Sequence, residues 1–255
     1  MFDPTNPRYS RILRFVGEAG LNRLHASRVV VVGLWAVGSY AVEGLARAGV
    51  GHLRLVDFDL IAPSNINRQL YALESTINRP KCEVARDRVR DINPDCEVEA
   101  FRTFVHADTM EEIFGGIQPD FVVDAIDSLN PKVELIAWLM EHEIPAISSM
   151  GAALRSDPTQ IRIGPLKKIA GDPLAKMVRK YLRNRGLPLN SLCVYSTEDI
   201  SPVRRACLGD PDEDPTIERK GRVRHVLGSL PTITGIFGLT IANYVIHKLI
   251  EEKTP

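Results

Sequence analysis

A short glycine-containing segment is the first place where the chain could hold a phosphate. Residues 33–38 read GLWAVG, with Gly33, Trp35 and Gly38 between a run of valines and a segment of helical periodicity. Free N–H groups at a helix N-terminus attract anions, and glycines let the backbone approach them. Asp57 ends the next apolar segment, where a carboxylate usually binds ribose hydroxyls. This pattern predicts a nucleotide site, with two glycines that merely permit a tight turn as the alternative.

Further polar side chains follow in a pattern that suits a triphosphate better than a dinucleotide. Arginine and lysine can neutralise phosphate charge, and a carboxylate can hold Mg²⁺ through its oxygens. The alternative is ordinary surface cations, a strand-end turn residue at Asp57 and a helix N-cap at Asp127. The candidates that follow Asp57 along the chain are Asp59, Ser64, Asn65, Arg68, Gln69, Lys81 and Asp127.

Alternating strands and helices must position these side chains. Apolar, β-branched segments alternate with helical ones five times up to residue 150. That order predicts an α/β fold, a Rossmann-like, doubly wound, mostly parallel sheet with helices on both faces and a C-terminal extension. We expect strands at 28–33, 53–57, 97–101, 121–124 and 146–149, and helices at 37–48, 81–92, 108–114 and 132–142.

The polar elements D-x-D, S-N-x-x-R-Q, P-K and D-x-x-D between residues 57 and 127 resemble the ThiF-type superfamily of ubiquitin-activating and molybdopterin-synthase-adenylyltransferase-like enzymes. The resemblance covers about residues 8–151 and implies ATP-dependent adenylation of a carboxylate, with Asp57 on the ribose and Asp127 on Mg²⁺. It places four side chains around the phosphates, which are Asn65, Arg68, Gln69 and Lys81.

The segment Arg8-Tyr9-Ser10-Arg11 matches an R-Y-x-R motif of the same superfamily. That match implies a homodimer in which Arg11 reaches the phosphates bound by the partner subunit. Trp35 departs from the superfamily pattern, which has a glycine there so that the backbone can approach the phosphates. We therefore expect Trp35 to weaken or reshape ATP binding.

The cysteines bear on which carboxylate is activated. Cys82, Cys96, Cys193 and Cys207 form no C-x-x-C pair, so we expect no zinc site. Cys193 is either a nucleophile or a small buried side chain in a strand, and we favour the second.

Within the superfamily, the chain resembles the tRNA threonylcarbamoyladenosine dehydratases most, in segments such as DPTQI at 157–161 and CVYSTE at 193–198. The resemblance implies adenylation of the carboxylate of a modified adenosine next to the tRNA anticodon, followed by ring closure that expels AMP. Two alternatives stay open. One is an activator of a small ubiquitin-like sulfur-carrier protein, and the other is a catalytically silent homologue.

The C-terminal part has a different pattern. We expect an adenylation domain at 1–150 with an N-terminal helical arm, and an extension at 151–255 packed on it. The extension should hold strands at 160–163 and 192–195, a basic helix at 173–185, a ligand-ordered or mobile loop at about 197–224 and an apolar helix at about 230–250. Polar residues within the last segment favour a buried helix over a membrane span.

Charge and the N-terminal residues limit the partners. Lysine and arginine balance aspartate and glutamate at 32 each, so tRNA binding requires a local basic patch. Two clusters could provide one, unless their cations are simply solvated beside acidic neighbours. The first residues lack an apolar core, so we expect a cytoplasmic protein without a signal peptide. The two clusters are Lys167, Lys168, Lys176, Arg179, Lys180, Arg183 and Arg185, and Arg204, Arg205, Arg219, Lys220, Arg222 and Arg224.

Overall fold

A single seven-stranded sheet organises the molecule. The structure, a computed structural model, describes residues 2–200 and 227–251. The strand order is β3-β2-β1-β4-β5-β7-β6, and every neighbouring pair is parallel except β6 and β7. The strands are β1 (Arg28–Val32), β2 (His52–Val56), β3 (Glu97–Phe101), β4 (Phe121–Asp124), β5 (Ala146–Ser149), β6 (Ile161–Pro165) and β7 (Leu192–Ser196).

Helices cover both faces of the sheet, which explains why β1 is apolar at consecutive positions. Val29 and Val31 pack into the core shared with α2, α3 and α7, whereas Val30 and Val32 pack into the core shared with α4 and α5. The helices among the described residues are α1 (Ser10–Ala26), α2 (Ala36–Arg47), α3 (Lys81–Ile92), α4 (Met110–Phe114), α5 (Leu129–Glu141), α6 (Pro173–Asn184) and α7 (Pro231–Ile250).

Most expected elements are present, and the predicted fold class is confirmed. Strands β3, β4 and β5 and helix α3 have the expected bounds. Helix α5 starts three residues earlier than expected because Pro131 lies in its first turn, where a missing N–H costs nothing. Strand β2 ends at Val56, which leaves Asp57 just beyond the sheet. The segment 108–114 is split into a 3₁₀ turn at Ala107–Thr109 and the short α4.

The part of the chain beyond residue 150 continues the same sheet. Strand β7 pairs in parallel with β5, and β6 forms the antiparallel edge. The division into an adenylation domain and an extension stays a prediction, and its proposed boundary lies within one continuous sheet. Of the expected loop at 197–224, residues 201–224 lie outside the described residues, as do the second basic cluster and Cys207.

Helix α7 packs closely on α2 through glycines. A Cβ added at Gly44 would lie 2.7 Å from Cβ of Ala242, and one added at Gly238 would lie 2.3 Å from the carbonyl oxygen of Val37. By length and composition α7 could cross a membrane, but half of its most apolar window is buried inside the molecule. The contact with α2 favours the expected core helix.

Candidate functional site

A pocket opens at the carboxyl ends of β1, β2 and β4, where the strand order reverses direction. Open α/β sheets bind ligands at this switch point. The space between its walls, which opens to solvent, measures about 410 Å³. The walls are mostly apolar, and the rings of Phe58 and Phe104 meet edge to face at 4.9 Å. The pocket-lining residues are Val32, Gly33, Trp35, Val56, Asp57, Phe58, Thr103, Phe104, Val105, Ile126, Asp127, Ser128 and Pro131.

Asp57 ties the glycine segment to the end of β2. Its Oδ2 accepts a hydrogen bond of 2.7 Å from the Leu34 N–H, and its Oδ1 accepts one of 2.9 Å from the Asp59 N–H. Burial raises the pKa of the Asp57 carboxyl, while Lys81 and the two N–H donors act against that rise. Each carboxylate oxygen has a second lone pair, so Asp57 can still accept hydrogen bonds from ribose hydroxyls.

The two glycines of the segment serve different needs. Gly33 has a φ of +88°, and an added Cβ would lie 2.9 Å from the Ala125 backbone. At Gly38 a Cβ would lie 1.8 Å from the carbonyl oxygen of Gly33. Gly38 is therefore required for close packing of the first turn of α2, whether or not a phosphate binds. Gly33 also lines the pocket, so the residue that the tight turn requires is part of the candidate site as well.

Trp35 and Lys81 form a contact that joins the pocket wall to α3. The Lys81 ammonium lies 3.8 Å from the centroid of the Trp35 ring and 3.4 Å from Oδ2 of Asp59. Only 2% of Lys81 is exposed, so the indole face and one carboxylate compensate the buried charge. Burial raises the pKa of Asp59 to about 6, with Lys81 acting against the rise and Asp57 adding to it.

Two buried polar atoms in this region have no hydrogen-bond partner among the residues that the structure describes. They are Oδ1 of Asp59 and Nε2 of Gln69. A buried unpaired polar atom costs about 1–3 kcal/mol, so such atoms usually mark a missing ligand or water. Both residues belong to the set expected to bind nucleotide.

The segment around residues 63–69 is held mainly by its own contacts. Oδ1 of Asn65 accepts the N–H of Ala62 and fixes a 3₁₀ turn, Pro63–Asn65. The Arg68 guanidinium donates to the carbonyl of Ser64 and to Oδ1 of Asn67. Asn65 and Gln69 are buried, and none of the expected residues from 64 to 69 lines the pocket. Their placement around phosphates stays a prediction.

Asp127 lies exposed at the rim of the pocket, and Oδ1 of Asp127 accepts a 3.2 Å hydrogen bond from the Ser128 hydroxyl. The N-cap position of α5 is Ser128, so the N-cap reading of Asp127 is wrong. Within residues 2–200 and 227–251, no three His, Cys, Asp or Glu side chains cluster to hold a metal. A Mg²⁺ ion at Asp127 would take most of its ligands from phosphates and water.

A buried ion pair behind Asp127 was missed by the sequence analysis. Nζ of Lys132 lies 2.6 Å from Oδ2 of Asp124, and both side chains are fully buried. Oδ1 of Asp124 accepts the N–H of Ile126 at 3.0 Å. The pair thus fixes the turn that carries Asp127. The spacing of Asp124 and Lys132, an acid ending a strand and a lysine in the next helix, could have indicated it.

Two further candidates lie away from the pocket. Arg11 is exposed on α1 and is not among the pocket-lining residues, so its action on a partner subunit stays a prediction. Cys193 lies fully buried in β7, and burial raises the pKa of its thiol to about 12. A thiol in this environment is a poor nucleophile, which supports the reading of Cys193 as a core residue.

Known proteins match this chain along nearly its whole length. The model of the ThiF family matches residues 9–255. The tRNA threonylcarbamoyladenosine dehydratase of Bacillus subtilis is 37% identical over 246 residues, which cover 96% of this chain and 95% of that protein. The match therefore includes the C-terminal part as well as the pocket.

Solved structures of the tRNA N6-threonylcarbamoyladenosine dehydratase of Escherichia coli superpose on the chain. The complex with AMP has a TM-score of 0.86 at 31% identity and covers 98% of both chains. The complex with ATP has a TM-score of 0.83 at 32% identity, covering 98% of this chain and 96% of the other. The family model, the full-length relatives and the shared fold agree, and the chain belongs to the ThiF family.

Proposed function

We propose that the protein uses ATP to adenylate the carboxylate of threonylcarbamoyladenosine in tRNA and then closes a ring with loss of AMP. The observation that carries this proposal is the pocket at the switch point of the sheet. It combines an apolar cleft, lined by Phe58 and Phe104, with the Asp57 carboxylate, and the buried Lys81 cation contacts the Trp35 ring in its wall. The full-length relatives named as dehydratases, and the ATP complex of one of them, support the substrate class.

The pocket suits the parts of an adenine nucleotide. A flat base fits a cleft with apolar and aromatic walls, and a ribose can donate hydrogen bonds to Asp57. The phosphates would then extend toward Trp35, Lys81 and the first turn of α2, whose N–H groups attract anions.

The chemistry requires the substrate carboxylate to become a better leaving group. A carboxylate oxygen attacks the α-phosphorus of ATP, the bond to the β-phosphate breaks, and pyrophosphate leaves. A neighbouring group of the same substrate then attacks the acyl carbon, loses its proton and expels AMP. Ring closure within one molecule gains from proximity, so no enzyme nucleophile is needed. The inert Cys193 thiol is consistent with that route.

Charge must be neutralised while pyrophosphate leaves. Lys81 is the cation that contacts Trp35 of the glycine segment, and Arg68 is the second cation that we propose for the phosphates. Asp127 is the exposed carboxylate suited to a hard cation. Mg²⁺ bound with the nucleotide supplies positive charge to the phosphate oxygens. We further propose a homodimer in which Arg11 contributes from the partner subunit. The 75% exposed Phe15 ring on α1, the helix that carries Arg11, supports an apolar contact there.

The test is AMP release from labelled ATP with purified protein. We expect release that depends on tRNA carrying threonylcarbamoyladenosine, together with loss of water from the modified nucleoside in mass spectrometry. Asp127→Asn should abolish release, because it removes the proposed Mg²⁺ carboxylate, while the protein still folds. Pyrophosphate exchange that depends on a ubiquitin-like sulfur carrier, with no effect of tRNA, would support the alternative activator. Absence of nucleotide binding would indicate a catalytically silent homologue.

A further inference from the structure

A strongly basic surface lies outside the nucleotide pocket, on α6 and the segment before it. Between residues 161 and 196 the chain has eight basic side chains and one acidic side chain, in a protein with no net charge. Seven of these cations are exposed, and five of the seven make no side-chain hydrogen bond or ion pair with another part of residues 2–200 and 227–251. We name these five the α6 surface, and they are Lys167, Lys168, Lys176, Lys180 and Arg183.

The other charged groups of this region make contacts within the protein, and Arg162 donates to the carbonyl oxygens of Thr159 and Ile161. Arg179 donates to the carbonyl oxygens of Leu166 and Ile169, and Arg185 pairs with Glu134 of α5. Asp172, the one acid, is 2% exposed and caps α6 by accepting the Ala175 N–H. None of the five cations of the α6 surface takes part in a salt bridge within residues 2–200 and 227–251. Within this described part of the chain, no acidic side chain pairs with the α6 surface.

The helix presents three of these cations on one side. Lys176, Lys180 and Arg183 follow at spacings of four and three residues, so they form one stripe about 10 Å long. The opposite side, with Ala175, Val178 and Leu182, is buried in a core shared with α5. The apolar side of α6 thus packs against the rest of the protein, and the basic side faces solvent.

The stripe starts near the edge of the sheet that carries the pocket. Oδ2 of Asp172 accepts the N–H of Gly151, which follows the carboxyl end of β5. The neighbouring helix α5 starts just after Asp127 and Ser128, which line the pocket. Lys176, in the first turn of α6, is therefore nearer to this edge than Arg183.

We infer that the α6 surface binds the sugar-phosphate backbone of the RNA substrate while the modified base enters the nucleotide pocket. This inference rests on the proposed function for the identity of the RNA. A row of unpaired lysines and arginines is the usual phosphate-binding element of nucleic-acid-binding proteins. An anionic membrane fits less well, because a membrane-binding helix needs apolar side chains on its outer side. None of the large exposed apolar residues among the described ones lies on α6.

Charge reversal on α6 tests the inference. The double variant Lys176→Glu/Lys180→Glu is compared with Arg28→Glu/Arg90→Glu, which reverses two exposed cations on other elements. Affinity for tRNA is measured by filter binding from 50 to 200 mM salt, and ATP affinity by calorimetry. Two lost phosphate contacts should weaken tRNA binding about 10-fold or more near 100 mM salt and lower the salt slope by about 1.5. ATP affinity should stay unchanged, and Lys176→Arg/Lys180→Arg should bind tRNA as the parent protein does.

Several results would overturn the inference. One is unchanged tRNA affinity in the α6 double variant, and another is an equal loss in the Arg28 and Arg90 control. Loss of binding to phosphatidylserine vesicles with tRNA binding intact would assign the surface to a membrane. Failure of the proposed function is a separate result, since it would appear as parent protein that binds tRNA but releases no AMP with it.

Discussion

Removing the indole of Trp35 should strengthen ATP binding, and the free energy of the cation–π contact between Lys81 and Trp35 determines by how much. The ammonium lies 3.8 Å from the ring centroid, and Lys81 is almost completely buried. A desolvated cation–π contact of this kind contributes about 2 kcal/mol. If Lys81 must leave the indole to meet a phosphate, that energy opposes binding and weakens affinity about 30-fold.

Calorimetry on three variants measures this effect. Trp35→Gly should bind ATP up to about 30-fold more tightly than the parent protein, and Trp35→Phe should be intermediate because phenylalanine offers a weaker cation–π face. Trp138→Phe is the matched control, since Trp138 stacks on Phe114 and His142 and lies outside the pocket. Unchanged or weaker ATP binding in Trp35→Gly would refute the reasoning, because the indole would then not compete for Lys81.

Three other predictions follow from buried titratable side chains. Lys132→Met leaves Asp124 buried without a cation, so it should lower the free energy of unfolding by about 3–5 kcal/mol. Urea denaturation measures this change. The control Lys168→Met, at an exposed lysine, should change the free energy of unfolding by less than about 0.5 kcal/mol. Because burial raises the pKa of Asp59 to about 6, its contribution to stability is present at low pH and lost as pH rises through about 6. Asp59→Asn should therefore gain stability relative to the parent protein between pH 5 and pH 7, and a constant difference would contradict that pKa. Cys193→Ala should retain tRNA-dependent AMP release. In the native parent protein, peptide mapping should find Cys193 unmodified by iodoacetamide, because the thiol is buried. Modification of Cys193 in the folded protein would contradict that burial.

The sequence revealed the parts of the site that a local pattern specifies. Gly33, Asp57 and Asp127 follow parallel strands, and the carboxyl ends of such strands meet at one edge, so these residues line one pocket. The sheet was predictable for the same reason, because apolar runs of strand length alternate with amphipathic helices. The element bounds that shifted did so by one to three residues, as at the start of α5 and the end of β2, because neighbouring end positions have similar energy.

Contacts between residues that are distant in the sequence could not be predicted from local patterns. Phe58 and Phe104 form one wall although they flank different strands, and no motif marks either ring. The stacking of Lys81 on Trp35 depends on how α3 sits against the start of α2, which follows from packing of the whole core. Asn65 was assigned to phosphates from its motif, yet its side chain stabilises its own turn, a use that any asparagine in a loop offers.

The close packing of α7 on α2 has a consequence for how the protein is made. Helix α2 begins at the glycine segment of the pocket, and its partner α7 follows it by more than 180 residues along the chain. A ribosome makes the N-terminal part first, so the glycine face of α2 stays uncovered until α7 has been synthesised. We therefore expect a chain truncated before residue 231 to leave the glycine face of α2 exposed to solvent beside the nucleotide pocket.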